Sequence, residues 1–149
     1  MTTRIRLASL VVAMTLALLT ATALMGAAWA ATFVGTAKQD QITGTRNADT
    51  IYGLNGWDYI VGRAGPDEIY GGKGSDTLMG KYGNDYLVGG RGYEELEGGY
   101  GIDRVEAADG GRDFVGCGPG DDDRASVDPQ DFVKDCEVVN GQPVDERTG

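Results

Sequence analysis

Eight acidic residues recur nine positions apart without a gap: Asp40, Asp49, Asp58, Asp67, Asp76, Asp85, Glu94 and Asp103. Five residues before each stands a glycine: Gly35, Gly44, Gly53, Gly62, Gly71, Gly80, Gly89 and Gly98. Two residues after each stands an aliphatic: Ile42, Ile51, Ile60, Ile69, Leu78, Leu87, Leu96 and Val105. Three columns in strict register leave little room for anything but a stacked repeat, in which each unit buries its apolar residue against its neighbours.

The unit explains its own shape. Its first six positions are glycine-rich and end in a carboxylate, which suits a turn that uses positive φ. The last three hold one aliphatic between exposed types, as in a very short strand with its middle side chain inward. Such a strand is unstable alone, so units must stack. Two units make one eighteen-residue turn of a flattened coil, and successive turns pair as parallel strands about 4.8 Å apart. Ile42, Ile60, Leu78 and Leu96 then line one sheet, and Ile51, Ile69, Leu87 and Val105 the other.

That core is thin. Aliphatics worth roughly 1.5–3 kcal/mol each do not offset the ordering entropy of the turns. Stacking also gathers Asp40, Asp58, Asp76 and Glu94 at one edge and Asp49, Asp67, Asp85 and Asp103 at the other, where like charges repel. A hard cation answers both problems. Calcium takes six to eight oxygen ligands, which short carboxylates and turn carbonyls supply, whereas magnesium keeps its waters and zinc prefers nitrogen or sulfur. Six inter-turn sites are available, of which about three to five are expected to fill. Lys38 at position four of its unit is expected to weaken the Asp40/Asp58 site, and the longer Glu94 to distort its pairing with Asp76.

The repeat, best seen in Gly71-Gly72-Lys73-Gly74-Ser75-Asp76-Thr77-Leu78-Met79, resembles the glycine-rich nonapeptide of RTX, or haemolysin-type calcium-binding, proteins. The resemblance implies an all-β fold, a parallel β-roll built as a two-sheet right-handed solenoid of about eight repeats over residues 31–106. It also implies calcium as the cofactor, with Asp58, Asp67, Asp76, Asp85 and Asp103 as its surest ligands.

After Val105 the register slips by one. Asp113, Asp122 and Asp131 are again nine apart, and the aliphatic column continues at Val115 and Val133 but fails at Arg124. Residues 107–139 therefore read as degenerate repeats tapering into a cap, and Asp121-Asp122-Asp123 as a solvated run. Cys117 and Cys136 are the only cysteines and both lie in this cap. In an exported chain the pair reads as a disulfide. The cap also resembles tails of exported RTX-like proteins of actinobacteria. Residues 140–149 are expected to be disordered.

Export is read from residues 1–30. Arg4 and Arg6 precede an apolar run from Leu7 to Leu24, and Ala28-Trp29-Ala30 offers small residues for cleavage between Ala30 and Ala31. Cleavage would leave 11 basic against 23 acidic side chains, a net charge of −12. The mature chain is thus expected to be secreted and extracellular, without a membrane span, and too acidic for a nucleic-acid partner. The sequence contains no histidine, which removes Ser/His/Asp and Cys/His hydrolase chemistry. The resulting expectation is a non-catalytic calcium-binding structural or interaction module. The competing readings are an adhesion or partner-binding protein, with Tyr52, Tyr70 and Val88 as an outward ladder beside Tyr86, and a small secreted hydrolase.

Overall fold

A computed structural model describes residues 29–140 and 142–143. The expected leader, apart from Trp29 and Ala30, and most of the expected tail lie outside them. The described chain is all β, and no helix in it is long and apolar enough to cross a membrane.

Strands alternate between two sheets. One sheet contains β1 (Ala31–Val34), β3 (Asp49–Asn55), β5 (Glu68–Gly74), β7 (Tyr86–Gly92), β9 (Arg104–Glu106), β11 (Arg124–Ser126), β13 (Val138–Val139) and β14 (Gln142–Pro143). The other contains β2 (Gln41–Thr43), β4 (Tyr59–Ala64), β6 (Thr77–Tyr82), β8 (Glu95–Tyr100), β10 (Phe114–Gly116) and β12 (Phe132–Lys134). The chain is a parallel two-sheet solenoid, and only β13–β14 is antiparallel. The register is the one that an eighteen-residue turn requires: Ile51 pairs with Ile69 and Ile69 with Leu87, while Ile60 pairs with Leu78 and Leu78 with Leu96.

Ile51, Ile60, Ile69, Leu78, Leu87, Leu96, Val105 and Val115 are fully buried along the axis, with Phe33, Ile42, Val133 and Val139 packed against them. Phe33 belongs to a strand that precedes the first repeat glycine, so the column extends one residue further than the repeat shows. The Cys117–Cys136 disulfide closes the other end, its Cα atoms 5.0 Å apart.

The cap differs from its sequence reading in one respect. Leu96 pairs with Val115, nineteen residues on, but Val105 pairs with Ala125, twenty residues on. One further inserted residue makes Ala125, not Arg124, the inward side chain, and Asp123, not Asp122, the column acid. Asp123 is completely buried, so the Asp121–Asp123 run is solvated only in part.

Position four of the unit must be glycine wherever a turn stacks on an earlier one. A Cβ on Gly74 would overlap Gly56 O, and one on Gly83 would overlap Gly65 O. Lys38 and Asn47 occupy this position in the first turn, and neither has positive φ. Position two is less demanding, but three of its non-glycine residues are strained. Leu54, Arg63 and Lys81 hold φ of 83°, 90° and 83°, where equivalent turns use Gly72, Gly90 and Gly99. Replacing Arg63 by glycine should therefore relieve strain of about 1–2 kcal/mol, partly offset by unfolded-chain entropy. The net gain should appear as a higher denaturant midpoint at unchanged fold, checked by chemical denaturation in saturating calcium.

Candidate metal centre

Each repeat acid sits where a glycine turn enters a strand, and its two oxygens face different surroundings. Oδ1 accepts the backbone N–H of the acid one turn earlier. Asp58 accepts from Asp40 at 2.9 Å, and Asp67 from Asp49, Asp76 from Asp58, Asp85 from Asp67 and Asp103 from Asp85 at 2.8 Å. The series continues through the cap, where Asp113 accepts from Glu94, Asp123 from Asp103 and Asp131 from Asp113. These charge-assisted bonds fasten turn to turn along both edges of the solenoid.

The other oxygen has no such partner. Oδ2 of Asp58, Asp67, Asp76, Asp85, Asp103, Asp113 and Asp123 is buried without a hydrogen bond, as are both carboxylate oxygens of Glu94. An ionised oxygen is costly in that state unless a cation meets it. The oxygens point into the turns beside backbone carbonyls. A Cβ built on Gly53 would lie 2.5 Å from Asp58 Oδ2 and 2.6 Å from Gly71 O, and one on Gly71 would lie 2.7 Å from Asp76 Oδ2 and 2.5 Å from Gly89 O. The repeat's leading glycine thus keeps a small space where a carboxylate oxygen and a neighbouring turn's carbonyl converge. An all-oxygen, negatively charged donor set fits calcium.

Burial dominates the electrostatics. It pushes the Asp85 carboxyl up to about 7, against the lowering effect of the Asp67 N–H and helped by the charges of Asp103 and Asp67. Burial likewise raises Asp67 and Asp103 to about 6, although each accepts a backbone N–H that favours its charged form.

The structure divides the expected ligands into groups. Asp58, Asp67, Asp76, Asp85 and Asp103 share one arrangement, with one oxygen bonded and one free. In the first turn threonine at position two takes up the second oxygen. Thr36 N–H donates to Asp40 Oδ2 at 2.6 Å and Thr45 N–H to Asp49 Oδ2 at 2.5 Å, each joined by the same residue's hydroxyl. Glu94 departs most. Among the described residues the Asp76 N–H makes no bond to it, and its carboxylate turns towards the cap. Asp113 and Asp123 extend the two columns although they were not among the expected ligands. The rule that an inward residue follows the acid by two, met by Val115 and Ala125, would have found both.

Residues 34–69, 61–93 and 70–105 match the family described as RTX calcium-binding nonapeptide repeat (4 copies). Among curated proteins and solved structures nothing matches the chain.

Proposed function

Residues 34–105 belong to the RTX calcium-binding nonapeptide repeat family, and from that premise we propose that the protein is a secreted, non-catalytic module that folds when calcium fills the edges of its solenoid. Asp58, Asp67, Asp76, Asp85 and Asp103 would hold the ions through their free oxygens, with Asp40, Asp49 and Glu94 completing the columns. About three to five ions would bind, given the coordination each requires. The observation that carries this reading is the row of buried, partnerless carboxylate oxygens. Calcium supplies the counter-charge, and the protein's part is to hold oxygens of successive turns in register, so that binding an ion orders two turns at once. A leader-directed protein of this kind would stay unfolded in low-calcium cytoplasm and fold outside the cell.

Asp67→Ala and Asp76→Ala test the assignment on opposite edges. Each should bind at least one ion fewer than the parent protein when stoichiometry is measured by equilibrium dialysis. Unchanged stoichiometry in both would remove the aspartates as ligands. Reproducible turnover of an ester, peptide or glycoside by the purified protein would overturn its non-catalytic role.

Exposed aromatic stacks favour partner binding as a second reading. Tyr52 and Tyr70 stack at 5.0 Å, Tyr70 meets Tyr86 edge-on at 6.1 Å, and Tyr82 stacks on Tyr100 at 5.3 Å on the opposite sheet. If this surface adheres, a Tyr52→Ser/Tyr70→Ser protein should fold with calcium yet lose retention on intact cells of the producing strain. Equal retention of both proteins would dismiss the surface.

A further inference from the structure

The repeat breaks at Glu94, and the break brings three carboxylates together. Glu94 is completely buried, and neither of its oxygens has a hydrogen-bond partner. Its extra methylene carries the carboxylate past the position that would serve Asp76 and towards the next turn. There the ligand oxygens of Glu94, Asp109 and Asp113 lie within 4.8 Å of one another. Asp113 uses Oδ1 to accept the Glu94 N–H at 2.9 Å, which leaves its buried Oδ2 free. Asp109 comes from the loop between β9 and β10, which contains the extra residue of the nineteen-residue turn. The loop holds this side chain in place: Gly111 N–H donates to Oδ1 at 2.7 Å and Gly92 N–H to Oδ2 at 3.3 Å. Among the described residues none of the three carboxylates takes part in an ion pair.

We propose that Glu94, Asp109 and Asp113 form a separate calcium site that locks the cap onto the roll. The proposal rests on the calcium reading of the repeats but concerns a site of different composition. Asp109 and Asp113 lie beyond the residues that match the repeat family, and Asp109 is not a repeat position. Both Glu94 oxygens are free, as a bidentate ligand requires, and the site offers three carboxyl groups where an ordinary pair of turns offers two. Affinity for calcium rises with ligand charge and rigidity, so this site fills before the others. The glutamate thus fastens the end of the roll, although as an irregularity it reads as a weak point.

The test compares the purified protein with Asp109→Asn and Glu94→Asp by equilibrium dialysis against limiting calcium, with circular dichroism at saturating calcium as the folding control. The parent should bind its first ion about tenfold more tightly than either variant, in line with the lost charge or reach. Asp109→Asn should bind one ion fewer at saturation and Glu94→Asp should lose the tight first ion, while Asp67→Ala keeps it. Glu94→Asp restores the repeat residue and its charge. It therefore carries the comparison if Asp109→Asn alters the spectrum. Wild-type stoichiometry and first-ion affinity in Asp109→Asn, or wild-type first-ion affinity in Glu94→Asp when that variant carries the comparison, would overturn the proposal and leave the repeat sites standing. A parent that binds no calcium would remove both readings together.

Discussion

Gly74→Ala should abolish the folded state or cost it at least ~3 kcal/mol, even in saturating calcium. The added methyl would overlap Gly56 O of the turn below; Cβ is fixed by the backbone and the oxygen belongs to it, so no side-chain rotation relieves the contact. The φ of Gly74, +124°, adds strain for any residue with a Cβ. Separating two turns here would also break the parallel pairing of β5 with β3 and β7. Gly110→Ala is the matched control. Gly110 has φ +91° but nothing within 4 Å of its added Cβ, so it should lose only about 1–2 kcal/mol. Denaturation of the two variants in the same calcium buffer checks the difference. Equal destabilisation would show that turn contact is not what the repeat glycines protect.

Without calcium, the chain at pH 7.5 should run as an expanded coil, and acidification to about pH 5 should recover part of its compactness. The folded state raises the carboxyl pKa of Asp67 and Asp103 to about 6, of Asp85 to about 7 and of Glu94 to about 9, chiefly by burial. Groups with raised folded pKa values bind protons more tightly when folded than when unfolded, so stability falls as pH rises. The penalty is absent below the ordinary carboxylate range near pH 4, grows through pH 6–7, and continues to about 9 for Glu94. The same linkage makes protons compete with calcium, so the calcium affinity of the folded chain should fall from pH 7.5 to pH 5. Hydrodynamic radius in EDTA across this range checks the direction. A metal-free chain more compact at pH 7.5 than at pH 5 would contradict it.

Much of the fold is legible in the nine-residue period, because one register sets the inward column, the turn glycines and the acid edges together. Ile42 through Val105 could be assigned to alternate sheets for that reason, and two cysteines admit a single intramolecular pair. Legibility ends where the period does. Phe33 joins the core from a strand whose unit has Ala31 where the repeat acid would stand, and the insertion before Asp123 moves the inward position from Arg124 to Ala125. Lys38 reads as a defect in the pattern, yet its backbone does not take the positive φ that the later glycines at this position hold. The division of labour within each carboxylate was hidden for a different reason. Sequence places Asp58 above Asp40, but only the backbone path shows that one oxygen accepts a neighbour's N–H while the other stays free. The direction taken by Glu94 depends on the same kind of detail, a loop one residue longer than the repeat.

The central claim is that calcium binding and folding are one event. Far-ultraviolet circular dichroism of the purified protein during a calcium titration at pH 7.5, with magnesium in parallel, tests it most directly. The spectrum should be disordered in EDTA and pass cooperatively to β structure at roughly 10⁻⁴–10⁻³ M calcium or below. EDTA should reverse the transition, and magnesium should produce little of it. A β-rich spectrum indifferent to EDTA, or an equal response to magnesium, would contradict the account.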